Sequence, residues 1–102
     1  MTKDHAQILL AQLGGSRFVT MTGAKDFSVS DTGLLFKIGR NCKGINAVKI
    51  NLNWMDLYDM EFMTIRRKDG VPEVTKTIPV SGVYFDQLQD VFTAETGLYT
   101  HL

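Results

Sequence analysis

The chain has 102 residues, with 11 Lys or Arg against 11 Asp or Glu and a formal charge of zero. That length holds one domain, 1–102, with a modest core. Neutrality argues against a general nucleic-acid binder, which needs an excess of cations to release counterions, and against a strongly acidic nucleic-acid mimic.

No apolar run approaches the about 20 residues that cross a bilayer, so no membrane association is expected. The opening Met-Thr-Lys-Asp-His has one Lys followed by an acid, and the patch from Ile8 to Leu13 is too short for a signal-peptide core. A cytoplasmic protein is expected. Cys42 is the single cysteine, so no intrachain disulfide can form. It sits between Arg40 and Lys43, and its plain reading is a small free thiol in a loop, since the only histidines are His5 and His101.

In chain order, Asp4 is expected to cap a first helix, with Gln7 in capping-box position. Ala6, Leu9, Leu10 and Leu13 share one helical face, and Gly14-Gly15 supplies a left-handed stop. Phe18 to Thr22 reads as a strand, Val19 and Met21 opposing Phe18 and Thr20. Phe27 and Val29 fit a short strand or a loop. Ser30 to Gly33 has turn composition, and Leu34, Phe36 and Ile38 give a strand with Lys37 outward.

The sharpest pattern follows a glycine-rich loop, residues 39–46. Val48, Ile50, Leu52 and Trp54 alternate with Lys49, Asn51 and Asn53; then Tyr58, Met60 and Phe62 alternate with Asp59, Glu61 and Met63. Successive strand residues face opposite sides, so this is an antiparallel hairpin with one buried and one wet face. Arg66 to Gly70 is expected to close it, with Pro72 delaying the next strand. That strand runs from Val74 to Val80, its end confined by Pro79 to an edge or bulge. Ser81 is expected to cap a last helix with Tyr84, Phe85, Leu88, Val91 and Phe92 on its apolar stripe and Gly97 as its stop. The expected fold is α+β: a single antiparallel sheet of four to five strands, with N-terminal and C-terminal helices packed on one face.

Chemistry is less sharply written. No two histidines or cysteines stand at metal-ligand spacing. Asp56 and Asp59, three apart on a strand, would face opposite sides rather than converge as a carboxylate pair. The stretch Gly39 to Gly44 has glycines and cations but lacks the Gly-Lys-Ser/Thr ending of a phosphate-binding loop. No catalytic residue, cofactor or metal is expected.

Charge is nevertheless uneven. Residues 1–54 hold seven Lys or Arg and three acids, while residues 55–102 hold four and eight. Lys37, Arg40, Lys43 and Lys49, extended by Arg66, Arg67 and Lys68, are the candidate contacts to nucleic acid. The candidate stacking rings Phe36, Trp54, Tyr58 and Phe62 all fall on the expected core side. The bland alternative for these cations is a soluble, edge-protected face. Met55, Met63, Tyr99 and Leu102 form a second candidate surface, for a protein partner, because methionine-rich surfaces adapt to what they bind.

Two blocks, Leu13-Gly14-Gly15-Ser16-Arg17-Phe18-Val19-Thr20-Met21-Thr22-Gly23-Ala24 and Gly82 to Phe92 with Thr96-Gly97-Leu98-Tyr99-Thr100, carry a resemblance. With Val48 to Leu52 and Asp56 to Phe62, they are similar to small uncharacterised proteins of bacteriophages and related mobile DNA. The resemblance implies an accessory factor, such as an inhibitor of host defence, and carries over no site residues. The expected function is therefore non-enzymatic binding of a host or phage protein, with nucleic-acid binding as the alternative. An exposed edge strand would also permit a homodimer.

Overall fold

The computed structural model describes residues 2–31, 33–39, 44–53, 55 and 57–98. Two helices, α1 (Lys3–Leu13) and α2 (Gly15–Thr22), precede five strands: β1 (Lys25–Val29), β2 (Gly33–Lys37), β3 (Ala47–Leu52), β4 (Tyr58–Lys68) and β5 (Val71–Val83). A 3-10 turn (Phe85–Gln87) leads into α3 (Leu88–Thr96). The strands form one antiparallel meander in sequence order. This is the α+β architecture that the alternation implied. No helix among the described residues is long and apolar enough to cross a membrane.

Register explains the core. Phe36, Val48, Phe62 and Ile78 lie across one row, and Leu34, Ile50, Met60 and Val80 across the next. All point to the side on which Leu9 and Leu13 of α1, Phe18 of α2 and Leu88 and Phe92 of α3 are buried. Phe18 stands at the centre, its ring 5.6 Å from that of Phe36 and 5.1 Å from that of Phe92, both edge-on.

Local expectations needed correction at four places. The first helix is capped by Thr2, whose Oγ1 accepts from the His5 amide at 3.1 Å; Asp4 lies inside the first turn, where its charge suits the helix dipole. The segment Phe18 to Thr22 is helical, not extended. Gly14 and Gly15, at φ 126° and 63°, turn a corner between two helices, and Phe18 and Thr22, four apart, bury one face. Gly23, at φ 69°, then ends α2 against Gly39, whose amide donates to the Thr22 carbonyl at 2.8 Å.

The third correction is the β4–β5 hairpin. Its turn is only Asp69-Gly70, both left-handed at φ 54° and 81°, as a two-residue turn of the right twist requires. Arg66, Arg67 and Lys68 belong to β4, and Pro72 lies inside β5, opposite Arg67. The edge position accommodates it, because a proline's missing donor can face away from the ladder. Fourth, Ser81 is a strand residue and not a helix cap. Gly82 (φ 70°) occupies an irregularity, Tyr84 precedes the helical turn, and Tyr84 and Phe85 are exposed. The buried stripe of α3 is Leu88, Phe92 and Thr96, and Gly97 does end it in the left-handed conformation.

Candidate nucleic-acid interface

The helices cover one face of the sheet, so side chains of the other parity lie on the open face. Across one end of that face run Lys25, Lys37, Ala47, Met63 and Thr77, each in register with the next. Ala47 and Met63 are buried there, although no helix covers them. Residues of all five strands meet around one recess of about 440 Å³ at this end.

The recess has an apolar floor and a basic rim. Buried Ile38 and Ala47 and half-buried Ile65 line its floor; exposed Lys25 from β1, Lys37 from β2, Arg67 from β4 and Pro72 from β5 complete it with Asn46, and no acid among the described residues lines it. Lys25 lies directly opposite Lys37, a like-charge pair that disfavours the strand pairing. Asp26 offsets it, its Oδ2 lying 3.7 Å from Lys37 Nζ. Both side chains are more than half exposed, so this ion pair stabilises little and leaves Lys37 free to exchange partners.

Asn46 fixes the shape of the recess. Its Nδ2 donates to the Ile65 carbonyl and its Oδ1 accepts from the Ile65 amide, both at 2.7 Å. A side chain thus imitates one more rung of the β3–β4 ladder. The Asn46 amide donates to Met63 O at 3.0 Å, and Thr64 Oγ1 donates to Gly44 O at 2.9 Å, which ties the start of β3 to β4.

The open face changes sign along its length. Lys49 lies opposite Glu61, and Asn51 opposite Asp59, one and two rows further from the recess. Asp59 is structurally occupied: its Oδ1 accepts from Gly82 N at 3.1 Å and from Asn53 Nδ2 at 3.2 Å. It anchors the β3–β4 connection; Asp56, the other carboxylate considered with it, lies outside the described residues.

Of the expected nucleic-acid contacts, the fold brings Lys37 and Arg67 together and places Lys49 beside an acid. Arg66 and Lys68 are exposed on the other side of β4 by alternation. Arg40 and Lys43 lie outside the described residues, with Cys42. Lys25 was missed, because β1 has no buried residue and so no alternation to announce it.

Of the expected protein-binding set, only Met55 and Met63 lie among the described residues. Met55 is exposed, but Met63 is only 9% exposed, held between Ala47 and Thr77, and offers no adaptable surface. Tyr99 and Leu102 lie outside the described residues, as do Trp54 and His101.

A separate polar cluster lies on the helical side. The Tyr58 hydroxyl, buried beneath α1, donates to Gln12 Oε1 at 3.3 Å and lies 3.0 Å from His5 Nε2. Burial pushes its pKa above the ordinary tyrosine value. These contacts pin α1 to β4. Among the described residues, no three His, Cys, Asp or Glu side chains are grouped as a metal site would need. Comparison of the chain with protein-family models, with curated proteins and with solved structures finds no match.

Proposed function

We propose that this protein is a non-enzymatic binding module that holds nucleic acid by its phosphate backbone across the basic end of the sheet. One observation carries the proposal: cations from three strands, Lys25, Lys37 and Arg67, rim a single open recess that no described acid lines. Chain neutrality does not oppose it, because Glu61 and Asp59 lie in rows beyond the recess, opposite Lys49 and Asn51, and Asp26 at this end is an exposed partner of Lys37 that does not line the recess. A backbone binder needs local charge, not global charge.

Sequence-independent contact is the form this site favours. Its floor is aliphatic, and base readout needs donors and acceptors aimed at base edges. The phage or mobile-DNA setting implied by the sequence resemblance fits a small protein that coats or shields nucleic acid. Capture of a protein partner is the weaker reading, since of the two methionines named for it Met55 is exposed and Met63 is buried.

The test is an anisotropy titration of labelled oligonucleotides, both single-stranded and duplex, over a range of salt. Wild type is compared with the triple variant Lys25→Glu, Lys37→Glu, Arg67→Glu, its fold verified by circular dichroism. The proposal expects salt-dependent binding that the folded triple variant loses. Binding that is absent, or that the folded variant retains with the same salt slope, sinks it.

A further inference from the structure

Resting on that reading, we infer that the ligand is a duplex and that the tip of the β4–β5 hairpin enters its major groove. The register carries the argument. β3 pairs with β4 only as far as Met63, and the Asn46 side chain extends the contact to Ile65. Beyond that, among the described residues, β4 and β5 are held only by each other: Arg66 with Glu73, Arg67 with Pro72, Lys68 with Val71. Every residue from Arg66 to Thr77 is exposed. The hairpin is therefore a two-stranded ribbon that extends past the end of β3, its base lining the recess through Arg67 and Pro72.

Its dimensions suit a groove. Three residues past Ile65 at about 3.3 Å each carry the tip about 10 Å out before the Asp69-Gly70 turn. The major groove is about 8.5 Å deep and about 12 Å wide, and admits a two-stranded ribbon. A ribbon of this reach touches the groove floor as its base meets the rim. At the base stand Lys25 and Lys37, placed for rim phosphates; on the ribbon, Arg67 projects from one side and Arg66 and Lys68 from the other. Lys25, Lys37, Arg66, Arg67, Lys68 and Lys76 outnumber Asp26, Asp69 and Glu73 in this region, which complements a polyanion. The irregularity in β5 between Lys76 and Val74 adds twist, which helps a ribbon follow a helical groove.

The rings of the fold argue against a single strand. Binding of unpaired strands relies on aromatic stacking platforms. The exposed rings among the described residues are Phe27, Tyr84 and Phe85. Phe27 leans on Phe36 on the helix-facing side, and Tyr84 and Phe85 follow the far end of β5. None stands at the recess.

The experiment uses the intact protein and a short labelled DNA duplex of mixed sequence, in three competitions read by anisotropy. The same strand unpaired should bind about tenfold more weakly or worse. A duplex whose cytosines carry a bulky 5-glucosyloxymethyl group, which fills the major groove, should lose binding to a similar degree. Saturating the minor groove with netropsin should leave affinity unchanged. The exposed variant Arg66→Ala, Lys68→Ala, shown to be folded by circular dichroism, should weaken duplex binding about tenfold, as loss of groove contacts does. Preference for the unpaired strand, indifference to glucosylation or displacement by netropsin would overturn the groove assignment and leave phosphate binding standing. Binding to neither form would overturn both.

Discussion

Asn46 and Ile65 are joined twice, amide to carbonyl and amide to oxygen, by two hydrogen bonds of 2.7 Å. A backbone pair would make the same two bonds, so Asn46 replaces a missing rung where β3 gives way to a loop. The consequence is mechanical. The basic ribbon leaves the sheet at a residue held by a side chain.

Asn46→Ala leaves both Ile65 groups without these partners. Loss of two such bonds at a partly buried site costs about 1–3 kcal/mol. Urea denaturation of the variant measures it. Nucleic-acid affinity should also fall although no charge has changed, because the base of the ribbon is no longer fixed relative to Lys37.

Lys25 and Lys49 should differ although both are lysines on the open face. Removing one phosphate contact lowers the slope of log affinity against log salt by about 0.9 on B-form DNA. Lys25→Gln should show that drop. Lys49→Gln, opposite Glu61, should leave the slope where it was.

Phe18→Ala removes a fully buried ring that touches β2 and α3 at once. The cavity and lost transfer together cost about 3–5 kcal/mol. A domain of this size has about 5–15 kcal/mol in total, so thermal melting should shift down steeply. Val19→Ala on the same helix, half-buried, should cost far less.

Alkaline pH should destabilise the fold through Tyr58. Its folded pKa lies above the unfolded value of 10.0, because burial disfavours the phenolate. The unfolded chain therefore releases its proton first, and above pH 10 it binds fewer protons than the folded one. Stability contributed by this group is full below pH 10 and falls as pH rises through the folded pKa. Tyr58→Phe should flatten that alkaline decline in denaturation midpoints, while costing about 1 kcal/mol at neutral pH for the lost bond to Gln12.

Pro72 and Pro79 sit on the outer strand opposite Arg67 and Glu61, partners six residues apart and so in the same phase of the ladder. The irregularity near Thr75 brings the two prolines into step. Both missing donors then face away from β4, breaking the edge that a second copy would pair with. Pro72→Val with Pro79→Thr should raise self-association with concentration, measured by sedimentation, relative to the parent chain.

Most of this architecture was legible because β3 and β4 alternate apolar and polar residues over five positions each, Val48 to Leu52 and Tyr58 to Phe62, a period no helix shares. α2 was not, because Phe-Val-Thr-Met-Thr fits either period over five residues, and tertiary burial of Phe18 and Thr22 decided it. β5 was only half legible: an edge strand with exposed residues has no core to impose a pattern, and its prolines argued for a later start. The site was legible in part. Lys37 and Arg67 were named, but their convergence with Lys25 depends on strands distant in sequence being brought together in one sheet, which leaves no mark on hydrophobic periodicity.

The ring of Phe18, near the start of the chain, rests on Phe92, near the end of the described residues. Every strand pairs with its neighbour in sequence, so the hairpins can form one after another as the chain is synthesised. The core cannot close until α3 has emerged. Until then α1 and α2 can cover only part of the sheet's apolar face, and the place of Phe92 and Leu88 beside Phe18 stays unfilled.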